Sequence, residues 1–217
     1  MTIPSVSLYY AQVSPDHSLS EFDGQISPER LAHLSSISHP HAQSCSLTGD
    51  LLLNAIVRRL IPDASFPLIR KNAAGGKPYL PAYPEFHFSI SHSADIAVCA
   101  VASIPVGVDI ELPRKVRSGI AARWFSHAEQ ELLEQNPSAF FDLWMAKEAV
   151  LKEIGCGLCG KLQTVSVDLS PAPHLTAPVH GQWHALTCVK LPCELSVMIA
   201  IPGTHPAHVT VHPKVQL

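Results

Sequence analysis

From residue 44 to 61, in SCSLTGDLLLNAIVRRLI, apolar side chains recur at Leu47, Leu51, Leu52, Ala55, Ile56 and Leu60, and Pro62 ends the run. That spacing marks one face of a helix turned toward a core. Residues 70–86, RKNAAGGKPYLPAYPEF, lose all periodicity to Gly and Pro and read as an irregular loop carrying Lys71 and Lys77. The period then drops to two. Phe86, Phe88 and Ile90 alternate with polar residues, a turn is expected near Ser93 to Asp95, and an apolar strand resumes, so 86–103 reads as a hairpin. From Pro105 the pattern predicts a strand (PVGVDIEL), helical segments (FSHAEQELLEQ and AFFDLWMAKEAVLKEIG), then strands around VSVDLS, HALTCVKL and LSVMIAIP.

A long helix and an apolar hairpin thus occur in each half, and SADIAVCAVAS resembles CELSVMIAIPG in pattern. The expected fold class is α+β, with two similar subdomains related by a pseudo-twofold, 1–104 and 105–217. Each would pack a small, mostly antiparallel sheet against a long helix, with a small-molecule site in the cleft between them.

Composition narrows the classes. A chain of 217 residues, 47% hydrophobic and 15% charged, can bury a substantial core. A net charge of −3 gives no general attraction to nucleic acid or an anionic membrane. The most apolar stretch, IAVCAVASIPVGVDI, is interrupted by Pro105 and Gly107 and falls short of the roughly 20 apolar residues of a membrane span. The first residues lack the pattern of an export signal, so a cytoplasmic location is the default. The six cysteines are expected to stay as thiols; Cys156 and Cys159 form a CxxC with no second pair to complete a zinc site. The thirteen histidines are scattered without HExxH spacing and read as loop residues, His92 excepted.

The chemistry centres on GVDIE. On a strand Asp109 and Glu111 share one face, opposite Val108 and Ile110. Side by side their charges repel unless a cation lies between them, and a hard, oxygen-seeking ion such as Mg²⁺ is the natural partner. The competing reading is a strand face screened by water. In LWMAKEAVLKEIG, Trp144, Glu148 and Lys152 follow at i, i+4 and i+8 on an otherwise apolar helix, so this stripe is expected to face inward and bring a third carboxylate and a lysine to the same place.

GVDIE (107–111), WMAKEAVLK (144–152), FSISHS (88–93) and GKPYL (76–80), in this order, resemble the 4′-phosphopantetheinyl transferases of the surfactin-synthetase-activating (Sfp) type. The resemblance implies a Mg²⁺-dependent enzyme. It would move the phosphopantetheine arm of coenzyme A to a serine of an acyl or peptidyl carrier protein, releasing 3′,5′-ADP. It also implies Asp109, Glu111 and Glu148 as metal ligands and Lys152 on the pyrophosphate oxygens. Lys77, Ser91 and His92 would lie against the nucleotide phosphates. Glu148, Glu129 or a metal-bound water would take the serine proton, Glu129 matching a family position near the metal. The carrier is expected to be an acidic helical bundle met by Arg114, Lys115 and Arg117, with the enzyme a monomer. One departure stands out: many relatives carry a basic residue just before the first long helix, where this chain has Gln43 and Cys45. Arg58, Arg70 or Lys71 would then have to hold the coenzyme A 3′-phosphate. The reading from another class is a non-catalytic coenzyme A or nucleotide-binding module, which needs the lysines but not three carboxylates.

Overall fold

The runs IAVCAVA and SVMIAIP show no polar alternation because both become strands buried on their two faces. The computed structural model describes residues 3–14, 17–116, 119–157 and 162–217. Its first half contains β1 (Ser5–Gln12), α1 (Pro28–Ser35), α2 (Pro40–Leu60), the short pair β2 (Lys71–Asn72) and β3 (Pro78–Tyr79), and the hairpin β4 (His87–Ser93) and β5 (Ile96–Ala102). After these come β6 (Gly107–Ile110), α3 (Ile120–Trp124), α4 (His127–Gln135) and α5 (Phe140–Ile154). The chain ends with β7 (Val167–Asp168), β8 (His174–Leu175), β9 (His184–Lys190), β10 (Ser196–Pro202) and β11 (His208–Val211).

Two principal sheets result, ordered β11-β1-β5-β4 and β6-β10-β9. They stack face to face. Val98 and Ala100 of the first meet Val108, Ile110, Val197 and Ile199 of the second in a shared core. The alternate residues point outward, Cys99 and Val101 onto Leu52, Ile56 and Val57 of α2, and Met198 and Ala200 onto Leu143, Ala146 and Ala149 of α5. The α+β fold therefore has four layers, helix, sheet, sheet, helix. No helix among the described residues is long and apolar enough to cross a membrane.

Helix α2 begins at Pro40, one turn ahead of the periodic run, with proline in its first turn where no amide donor is required. Three elements go beyond the periodicity. β1 buries Val6, Leu8 and Tyr10 between the sheets and Tyr9 and Ala11 against α2, so the alternation of Ser5 to Leu8 is lost in the buried run that follows. β11 pairs parallel to β1, Ser5 opposite His208, so the C-terminal segment completes the sheet of the first half. Helix α1 starts from Ser27, whose hydroxyl accepts from the Arg30 amide, with Pro28 in the first turn.

Helix α5 rides directly on β6. A methyl group at Gly107 would lie 1.9 Å from the Ala149 carbonyl oxygen and 2.5 Å from the Glu153 nitrogen. Backbone cannot yield as a flexible side chain does. Gly107→Ala is therefore expected to cost about 3 kcal/mol, the upper end of overpacking penalties, seen as a lower urea midpoint at unchanged m-value.

Candidate active site

The face of β6 that carries Gly107 also carries Asp109, so the close approach of α5 sets the distance between Asp109 and the side chains of Glu148 and Lys152. Asp109 is 2% exposed, which excludes a solvated strand face for it. Its Oδ1 accepts from Lys152 Nζ at 2.6 Å and from the Ser91 hydroxyl at 2.6 Å. Its Oδ2 is buried with no hydrogen-bond partner. Burial pushes the Asp109 carboxyl up, while Lys152 and Ser91 pull against it. Glu148 Oε2 stands 3.6 Å from Lys152 Nζ, and the group is pushed up to about 7 by burial and by the charge of Asp109, with Lys152 opposing. For Lys152, burial works against the charge, but Asp109 and Glu148 outweigh it and hold the ammonium above its ordinary value.

Glu111 lies just past the end of β6, paired with Arg114 Nη1 at 2.5 Å and accepting from the Ser93 hydroxyl at 3.0 Å. The three expected metal ligands, Asp109, Glu111 and Glu148, thus feel one another's charge. Among the described residues no group of three or more His, Cys, Asp or Glu side chains is drawn together as a ready metal cage. The chain's own two cations are shared among the three, Lys152 between Asp109 and Glu148 and Arg114 on Glu111. An unpartnered buried oxygen on Asp109 and a carboxyl at Glu148 pushed up to about 7 both mark negative charge in excess of its compensation, the condition a divalent cation relieves.

Beside the carboxylates runs a cleft of about 310 Å³, lined from the first half by Arg30, Ser46, Asp50, Arg70, Lys77 and His92 and from α5 by Leu151 and Lys152. Four cations against the single carboxylate of Asp50 make it an anion pocket. Asp50 takes Arg30 Nε at 2.7 Å on one oxygen and Arg70 Nη1 at 2.6 Å on the other, and Arg30 also donates to Ser46 Oγ at 2.5 Å. The two guanidiniums are held as a fixed pair. Of the expected basic replacements, Arg70 is in this pair, Arg58 lies over the Phe66 ring at 3.8 Å, and Lys71 is exposed on β2. Arg30 was not among the sequence candidates. Its only local signal was a position in the first turn of a helix, and only tertiary contact with Asp50 brings it here.

Lys77 lines the same cleft, but its ammonium donates to the carbonyls of Glu153 at 2.6 Å and Val106 at 3.0 Å. Burial holds it below the ordinary lysine range. Its loop docks on the end of α5, where a methyl group at Gly75 would lie 1.7 Å from the Gly155 carbonyl oxygen. His92 faces the cleft, and burial together with Lys152 holds its imidazole below its ordinary value. Ser91 is turned away, onto Asp109 and Lys152.

Glu129 has a different place from its expected one near the metal. One carboxylate oxygen accepts from the Val167 amide at 2.9 Å; the other accepts from the Ser126 amide at 2.7 Å and pairs with Lys147 at 2.8 Å. Lys147 is fully buried and also donates to the carbonyls of Leu162 and Val165. With its lone pairs so engaged, Glu129 is a structural counter-ion and not a candidate base. A second groove of about 290 Å³ opens beyond Glu111, lined by Arg114, Lys115, Val116, Phe141 and Trp144. Arg117 and Cys159 lie outside the described residues, and Cys156 is a free thiol.

The model of the 4′-phosphopantetheinyl transferase superfamily matches residues 105–191, the stretch from β6 to the end of β9. The chain is 30% identical over 193 residues to the 4′-phosphopantetheinyl transferase Sfp of Bacillus subtilis (strain 168), spanning 87% of this chain and 83% of that one. It is 42% identical over 136 residues to a second 4′-phosphopantetheinyl transferase of Bacillus subtilis, over 60% of this chain and 61% of the relative. With the human L-aminoadipate-semialdehyde dehydrogenase-phosphopantetheinyl transferase it shares 28% identity over 165 residues, 67% of this chain and 53% of that protein. Likeness to one transferase along most of both chains, joined to a family match on the half that carries the carboxylates, shows that this chain belongs to the 4′-phosphopantetheinyl transferase superfamily.

Proposed function

We infer that the protein transfers the 4′-phosphopantetheine arm of coenzyme A to a serine hydroxyl of an acyl or peptidyl carrier protein, releasing 3′,5′-ADP. The observation that carries this reading is the juxtaposition of Asp109, Glu148 and Lys152 at the end of a cationic cleft. The new bond forms between the serine oxygen and the phosphorus that bears the pantetheine arm; the bond from that phosphorus to the oxygen of the adenosine 5′-phosphate breaks. Asp109, Glu111 and Glu148 would hold Mg²⁺, which when bound neutralises charge on the pyrophosphate oxygens. Lys152 is carried on the last turn of α5 beside that charge, where its ammonium offsets what builds on the leaving phosphate. Glu148 serves as a ligand first. Its second role is to take the serine proton on Oε2, directly or through a water on the metal, although a carboxylate already on a cation is the poorer base.

Arg30 and Arg70, braced by Asp50, together with His92 are the side chains suited to the 3′-phosphate, in place of the basic residue for which this chain has Gln43 or Cys45. Arg70→Ala is expected to weaken coenzyme A binding about tenfold while leaving its 3′-dephospho form almost unaffected, measured by calorimetry with both ligands. Lys77 supports the pocket from the Gly-rich loop. Arg114 and Lys115 border the outer groove and suit an acidic helical carrier, and a monomer suffices for every residue named.

The test is incubation with coenzyme A, Mg²⁺ and a panel of apo carrier proteins, followed by mass analysis. The expected result is addition of one phosphopantetheine arm to at least one carrier, lost on removal of Mg²⁺. Coenzyme A binding without transfer to any carrier would favour a non-catalytic binding module.

A further inference from the structure

Arg114 stands where the carboxylates meet the outer groove. Its Nη1 donates to Glu111 Oε2 at 2.5 Å and its Nη2 reaches Oε1 at 3.4 Å, so one guanidinium spans both oxygens of an expected metal ligand. The hydrogen bond to Glu111 holds that guanidinium above its ordinary value, and Asp109 and Glu148 pull the same way against a small opposing effect of burial. Yet the hold is one-sided. The Glu111 side chain is 16% exposed and that of Arg114 is 60% exposed, with its guanidinium carbon 5.3 Å from the centre of the Phe141 ring. Arg114 and Phe141 border both the groove of about 290 Å³ and a further one of about 540 Å³ that takes in Pro113, Leu133 and Pro137. One arginine thus pairs with a carboxylate of the site and borders both outer grooves.

A guanidinium laid across both oxygens of a carboxylate leaves little for a second cation, and two cations on one carboxylate repel. Resting on the transferase reading, we propose that Arg114 competes with the divalent cation for Glu111 and, once displaced, turns to the outer groove to meet the acidic carrier, so that cation loading and carrier docking reinforce each other. An ion pair with so exposed a partner contributes little, and the exchange therefore costs little. Beyond Glu111 the guanidinium still has the Phe141 face within reach, and its freed donors suit the carboxylates of a helical partner. Lys152 lacks this freedom: it is 24% exposed and lies 2.6 Å from Asp109. By linkage the effect is reciprocal, and whatever factor the cation adds to carrier affinity the carrier adds to cation affinity.

Two binding measurements on the full chain test this without turnover. In the first, Mn²⁺ serves as the hard cation with coenzyme A present, and the free ion is followed by electron paramagnetic resonance. Arg114→Ala is expected to bind Mn²⁺ about fivefold tighter than the unmodified chain. Lys115→Ala, which removes an equal charge from the same exposed segment without touching Glu111, should change the affinity less than about twofold. A variant at Arg114 that binds Mn²⁺ no tighter than the one at Lys115 overturns the competition. In the second, a carrier that accepts the arm is given alanine at its acceptor serine, and its affinity is read by fluorescence anisotropy with coenzyme A, with and without Mg²⁺. Mg²⁺ should raise carrier affinity about fivefold for the unmodified chain and less than about twofold for Arg114→Ala; the same gain in both overturns the coupling. Because the Arg114 side chain is largely exposed, its truncation leaves the core intact. Failure of the underlying reading looks different: the unmodified chain would bind coenzyme A and modify no carrier, which removes the carrier half of the proposal, while the Mn²⁺ comparison still decides the competition for Glu111.

Discussion

Alanine in place of Lys152 is expected to lower kcat by about two to three orders of magnitude, the loss that follows when one preorganised donor to developing charge is removed. Coenzyme A affinity should change far less, because Arg30, Arg70 and Lys77 remain in the cleft. A second consequence is read without turnover. Lys152 is the internal counter-ion of Asp109, at 2.6 Å, and stands 3.6 Å from Glu148. Removing it leaves buried carboxylates uncompensated, so the variant melts lower without divalent cation and recovers more on adding Mg²⁺ than the unmodified chain does. Calorimetric melts with and without Mg²⁺ measure the difference. Equal Mg²⁺ responses in both proteins would detach the metal from these carboxylates.

The largest loss of stability is expected at the other lysine of the same helix. Lys147 is fully buried, paired with Glu129 at 2.8 Å, and lies 5.4 Å from the centre of the Phe125 ring. Burial pulls its ammonium below the ordinary lysine range, with Glu129 pulling it back up. Lys147→Ala strands the Glu129 carboxylate and two carbonyls in the interior, and about 3–5 kcal/mol of unfolding free energy should be lost. Removing both charges together, as Lys147→Met with Glu129→Gln, should cost less than the sum of the two single changes, because neither partner is then left charged and alone. Urea unfolding of the four proteins closes the cycle. A Lys147→Ala variant as stable as the unmodified chain would show the pair to be dispensable.

These two lysines show how far the sequence could be read. Both stand in WMAKEAVLK, five residues apart on an amphipathic stretch, and helix periodicity separates their directions. It does not say which direction leads to a cleft and which to a closed interior. That depends on where the second sheet and the segment from Leu162 to Val167 pack, and those contacts are long-range. Glu129 follows the same rule. Its capping box with Ser126 is a local signal, visible as S-x-x-E, whereas its pairing with Lys147 is tertiary. The two hairpin strands and the long helices were legible because burial imposes period and length on a chain segment. β1 and β11 were not, since β1 loses its alternation after Leu8, where both faces are buried, β11 is only four residues long, and parallel pairing between two segments so far apart in the chain leaves no local trace.

The amino-acid sequence by itself determined the α+β class and the apolar strands and helices, because residue type and spacing follow from local geometry, while the grouping of GVDIE, FSISHS, GKPYL and WMAKEAVLK into one chemistry rests on their resemblance to the transferase family. Only the tertiary structure decided that Lys152 stands on Asp109 while Lys147 is sealed inside, that Arg30 and Arg70 share Asp50, and that the Ser91 proton is given to a carboxylate. Hydrogen bonds and ion pairs join groups that are distant in the chain, and a linear pattern cannot say which donor reaches which acceptor once four layers have closed.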